Sequence, residues 1–151
     1  MSETSLLFGK NIIHSVPSVR NIGAFFDQLS FEKQYNAVSR TCYSQIRKIG
    51  RIRHFLTDSA CKTLVHSLVT LRLDYGNALL YNINSTYIMK LQRVQNTTAR
   101  LITRTGKHEH IQLILFDLHW LPVMYRVQYK LFVYVYMYKT LYNLAPTYLA
   151  E

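Results

Sequence analysis

Residues Thr57 to Tyr81 read TDSACKTLVHSLVTLRLDYGNALLY, with apolar side chains recurring at helical steps. Ala60, Leu64, Leu68, Leu71, Tyr75 and Leu79 share one face at spacings of three and four. Cys61, Val65, Val69, Leu73 and Leu80 widen that face until little of the circumference is polar. A helix of this kind is buried on several sides, so the segment predicts the hub of a helical domain. Thr57 or Asp58 can cap its start, because a short oxygen-bearing side chain accepts from the free amides of the first turn. Arg72, Asp74 and Asn77, late in the segment, then need partners or a place at the rim.

Working outward, Ser30 to Ile52 predicts a long helix with Tyr35, Val38, Cys42, Ile46 and Ile49 on its buried side. Lys33, Arg40, Arg47 and Arg51 fall opposite, and no acidic residue occurs between Glu32 and Asp58. Gly50 is expected to end or loosen this helix. After the hub, NINS reads as a turn with Asn84 or Ser85 as the next cap. Thr86 to about Arg104 predicts an amphipathic helix burying Ile88, Leu91, Thr98, Leu101 and Ile102. Its other side carries Lys90, Arg93, Arg100 and Arg104 and no acid.

TGKHEH reads as a loop and Ile111 to Leu118 as a short apolar helix. Pro122 suits the first turn of a last long helix, where its missing amide costs nothing. Phe132 to Tyr138 alternates like a strand, but the surrounding length and the proline favour helix. Trp120, expected to bury against the hub, is read as structural together with Leu121 and Pro122. Before about Val16, and again around Gly23, the chain has only short extended character. The fold expected is therefore all-α, a bundle of four to five helices with a short extended N-terminal segment. It divides into a lead-in (1–29), a three-helix bundle (30–105) and a C-terminal helical segment (106–151).

The chain has 151 residues, enough for one domain with a real core. Its 18 Lys and Arg against 8 Asp and Glu give a net charge of +10, which suits a polyanionic partner better than a neutral metabolite. The basic residues sit in single-sign rows on two helices, the pattern that tracks a phosphate backbone. Cys42 and Cys61 occupy apolar helical positions and are expected to be buried thiols. No apolar run approaches the roughly 20 residues of a membrane span. The N-terminus lacks a signal-peptide pattern, so a soluble, intracellular protein is expected.

Catalytic signals are not found. No two carboxylates are placed to hold a pair of metal ions, which phosphoryl transfer on two metals requires. His108 and His110 lie two apart, facing away from one another on a helix, with no further ligand nearby. His66 and His119 have no nucleophile in a defined elbow beside them. No catalytic residue, metal or cofactor is expected. The tyrosines of the last helix are read as core rather than as a base-stacking platform.

Several strings resemble a known family. VRNIGAFFD, RLDYGNALL, LQRVQN, LHWLPV with YRVQYK, and LAPTYL are similar, in order and spacing, to the C-terminal end of reverse transcriptases from non-LTR (LINE-type) retrotransposons. The resemblance runs from about Val19 to Leu149. It departs from the family at Gly76 and at Thr97–Thr98. It implies that the lead-in is the end of a polymerase palm and that residues 30–105 are a thumb, which grips the template–primer duplex by its backbone. It marks Asp74 and Tyr75 as structural residues of the RLDYGN string. By this resemblance the chain is a fragment without catalytic activity of its own, its parent an RNA-directed DNA polymerase active in the nucleus. The missing palm and fingers are then a further partner. Backbone contacts to an RNA–DNA duplex are expected from Lys90, Arg93, Arg100 and Arg104, with Arg40, Arg47 and Arg51. The competing expectation is a helical interaction module, or a decayed relic without nucleic-acid activity.

Overall fold

The computed structural model describes residues 5–9, 11–14, 18–21, 24–27, 31–144, 146 and 148. Gly23, where a tight backbone approach is expected, lies outside them. The fold is all-α, preceded by two antiparallel hairpins rather than one extended segment. β1 (Ser5–Phe8) pairs with β2 (Asn11–His14), and β3 (Ser18–Asn21) with β4 (Ala24–Asp27). Five helical rods follow: α1 (Glu32–Ile52), the hub (Asp58–Asp74), α4 (Ser85–Thr103), α5 (Ile111–Asp117) and α6 (Val123–Leu141). The hub consists of α2 (Asp58–Val65), a π turn (His66–Thr70) and α3 (Leu71–Asp74).

The hub is shorter than its apolar pattern suggests, and it turns its other face inward. Gly76 adopts a left-handed conformation at φ 65°, which costs glycine little and breaks the helix after Asp74. A single 3-10 turn, Asn77–Leu80, replaces the expected continuation. Leu71, Tyr75 and Leu79 of the first-read face are more than half exposed, whereas Cys61, Val65, Val69, Leu73 and Leu80 are all buried. The π turn accounts for the choice. Four-residue steps drift about 40° each around an α-helix. The turn's wider bonding, in which the Leu71 amide donates to the His66 carbonyl, takes up that drift. Positions 61, 65, 69 and 73 therefore stay in line.

Caps fall where the side chains allow. Thr57 Oγ1 accepts from the Ala60 amide at 3.2 Å, and Asn84 Oδ1 from Thr86 at 2.9 Å. Gly50 does not end α1, which runs through it to Ile52. Pro122 sits at the cap of α6, one residue before the first turn, and has no capping side chain. Gln92 of α4 takes that role, its Oε1 accepting from the Val123 amide at 2.8 Å. The buried Gln95 donates to the Leu121 carbonyl at 2.8 Å, so α4 fixes the turn from which α6 departs.

One core joins α1, the hub, α4 and the first turns of α6, and it extends across residue 105 to Val123 and Val127. Trp120 is half-buried, packed between this core and a smaller cluster of Ala99, Ile114 and Leu115. Both cysteines are buried and unbridged. Phe132 to Tyr138 is helical, but its aromatics are not core. Phe132, Tyr134, Tyr136 and Tyr138 are each more than half exposed, since α6 gives the core only Val123 and Val127 of its first turns.

Candidate nucleic-acid interface

α1 and α4 lie side by side and parallel. The Tyr35 and Tyr87 rings stack with centroids 5.1 Å apart and planes at 16°. One residue further along, Lys90 Nζ donates to Asn36 Oδ1 at 3.3 Å. At the far end, a Cβ on Gly50 would lie 3.8 Å from Leu101 Cδ1. Arg53 Nε donates to the Leu101 carbonyl at 2.9 Å.

This pairing brings the two basic rows together. Arg40, Arg47 and Arg51 follow Asn36 at steps of four, seven and four, so they share its flank of α1. Arg93, Arg100 and Arg104 follow Lys90 at steps of three, seven and four along α4. Both rows thus start at the Asn36–Lys90 contact and run on either side of one seam, away from the core. From Asn36 to Arg51 a helix rises about 22 Å, the axial length of roughly six nucleotide steps.

The seven cations are not equivalent. Arg40, Arg47, Arg51 and Arg93 are exposed. Lys90 is half-buried, held by Asn36 and with Nζ 5.3 Å from the Tyr87 ring centroid. Arg100 clamps the following loop, with Nε on the Gly106 carbonyl at 3.2 Å and a second nitrogen on the Glu109 carbonyl at 3.3 Å. Arg104 closes α4 at φ 57° and reaches the Leu56 carbonyl at 3.5 Å. His108, Glu109 and His110 are exposed in that loop. Among the described residues, no group of three or more His, Cys, Asp or Glu side chains could hold a metal ion.

Arg53, at the end of the seam, went unrecognised in the sequence. It is 7% exposed and donates to the carbonyls of Leu56, Leu101 and Ile102 and to Asp58 Oδ1. One guanidinium thereby satisfies the last turn of α4 and ties the end of α1 to the start of α2. Its register was the available signal: it continues the buried series Cys42, Ile46, Ile49. The bond from Arg53 holds the Asp58 carboxyl below the usual range, with Arg104 and Lys62 adding to it against some desolvation. Burial pushes the Cys42 thiol up to about 11, with nearby Arg72 opposing only in part, so it is a packing group rather than a nucleophile.

The structural residues cluster at the root of α6. Arg126 donates to the Asp74 carboxylate, Asn77 Nδ2 to its other oxygen at 3.2 Å, and Lys130 Nζ to the Asp74 carbonyl at 2.6 Å. Burial raises the Asp74 pKa, an effect that Arg126, Lys130 and His66 only partly offset. Tyr75 is exposed, and Leu121 contributes its carbonyl rather than its exposed side chain. No family model, curated protein or solved structure matches the chain. No described helix is long and apolar enough to cross a membrane.

Proposed function

We propose that this chain binds the backbone of a nucleic-acid duplex along the α1–α4 seam, as the thumb-like end of a reverse transcriptase of the non-LTR retrotransposon type. The observation that carries the binding is the pairing of two single-sign rows along one seam opposite the core. The likeness of RLDYGNALL and LHWLPV to that family supplies the expected ligand, an RNA–DNA template–primer, and a nuclear site of action. On this reading the chain does not polymerise by itself, because it lacks the paired carboxylates that hold two metal ions.

Titrating an RNA–DNA hybrid at several salt concentrations tests the binding. Affinity falls steeply with salt, and changing Arg40, Arg47 and Arg93 together to Gln makes the log–log slope shallower by about three. These three are chosen because they are exposed, whereas Arg100→Gln would also release the loop it clamps. A wild-type slope in the triple variant would reduce the rows to solvated surface. Primer extension on an RNA template should show no incorporation above a no-protein control.

A further inference from the structure

The second half of α6 is the largest anomaly in the molecule. Val123 and Val127 face the core, and the same face continues through Leu131 to Tyr134, Val135, Tyr138, Leu141 and Tyr142. Those five are 43–78% exposed. Lys139 borders this strip, and the opposite side of the arm carries Thr140 together with the exposed Phe132, Tyr136 and Met137. At the root of the same face lies an apolar groove of about 400 Å³, lined by Leu80, Ile83, Ile88, Met89, Met124 and Val127 among others. Arm and groove are therefore two halves of one apolar strip, the first projecting and the second recessed.

We propose that a second copy of this chain covers the strip, its α6 antiparallel, with the arm of each copy seated in the groove of the other. Antiparallel pairing centred near Tyr134 sets Leu141 and Leu144 of one copy beside Val127 and Met124 of the other. The arrangement is two-fold, so each arm finds a groove. Area supports it. The exposed arm residues with Leu144, Met124, Met89 and Tyr81 number nine, each 43–78% exposed. With aromatic side chains of about 150–250 Å² among them, they offer on the order of 900 Å² per copy, against about 800 Å² in a stable standard interface. Local charge opposes it little, because Arg126 and Lys130 at the root of the strip are held by Asp74. The methionines suit the groove to an incoming aromatic, since their unbranched chains adapt.

The test is the molar mass of the full chain in solution, by light scattering and sedimentation, across concentration and salt. A dimer with a Kd of about 10 µM or tighter is expected. It should persist or strengthen as salt rises, because screening relieves repulsion between two basic chains. Combining Tyr134→Glu and Tyr138→Glu should weaken it at least tenfold while leaving the helical circular dichroism unchanged. Tyr136→Glu, on the opposite face, should leave the dimer intact. A monomer at about 100 µM overturns the proposal, because an interface of this size is then absent. Equal loss in the Tyr136 variant, dissociation by salt, or aggregates without fixed stoichiometry overturn it too. Binding to vesicles of neutral lipid by a chain that stays monomeric assigns the strip to a membrane surface instead.

Discussion

The α1–α4 pair and the outer half of α6 are both helical, yet they use their side chains in opposite ways. In the pair each flank has a role: Leu91, Val94 and Cys42 are fully buried, the cations line the seam, and Arg53 closes the end. In the outer half of α6 most positions are exposed, although Tyr, Phe, Met, Val and Leu fill them. Composition alone would place α6 in a core and α4 at the surface. Which residues become core depends on what the neighbouring elements reach, and the tie from Gln92 and Gln95 sends α6 away from the bundle after two turns.

The strongest challenge to that contrast is a pair of truncations. Leu91→Ala, at a site 1% exposed, should cost about 2–5 kcal/mol by lost burial and a cavity. Leu141→Ala, at a site 78% exposed, should stay within about 0.5 kcal/mol. Denaturant unfolding at low protein concentration measures both, keeping association out of the comparison. Equal costs would mean that α6 is packed against something in the isolated chain.

Arg53→Leu comes next. It removes four donated bonds and strands the carbonyls of Leu56, Leu101 and Ile102, a loss of about 2–3 kcal/mol. Arg53→Lys should not restore stability, because one ammonium cannot span those three acceptors as a planar fork does. Full rescue by Lys would show that charge at the end of α4, rather than fork geometry, is what the site needs.

Arg53 also marks where the sequence was readable and where it was not. The order of the helices, each cap to within one residue, the buried thiols and the basic rows follow from periodicity and side-chain chemistry. Helix was rightly favoured over strand for Phe132 to Tyr138, because length and Pro122 outweigh alternation. Other features rest on tertiary context. Nothing local says that a π turn would keep Cys61, Val65, Val69 and Leu73 in line, or that Gly76 would take positive φ and stop the hub. Helical spacing points to Tyr134 and Tyr138 as core, because it identifies a face without identifying its neighbour. The convergence of the two rows likewise needed the parallel packing of α1 and α4, which no spacing within either helix encodes.

Gly50 offers a smaller and opposite effect. It lies inside α1 with helical geometry, and an added Cβ would make only ordinary contact with Leu101. Gly50→Ala should therefore stabilise the chain by about 0.5–1 kcal/mol. Destabilisation would mean that α1 and α4 approach too closely there for a methyl group, and the seam would be tighter than described.

The smallest effect separates the two regions by pH. Asp58 belongs to the α1–α4 latch, and its pKa is lowered chiefly by the bond from Arg53. Its contribution is complete above the unfolded carboxylate value and is lost as pH falls through the lower folded value. Asp74 stands at the root of α6, where burial raises its pKa. Its neutral form suits the fold, so its contribution is complete below the unfolded value and is lost as pH rises through the folded one. The two trends oppose each other in the parent chain. Asp58→Asn should leave a curve that falls with rising pH, and Asp74→Asn one that falls with acidification. Thermal unfolding of the three proteins at a series of pH values reads both slopes. If the variants tilt the same way, the Asp74 carboxyl is held ionised by Arg126 and Lys130, and the root of α6 is an ion pair of the same kind as the Arg53 latch.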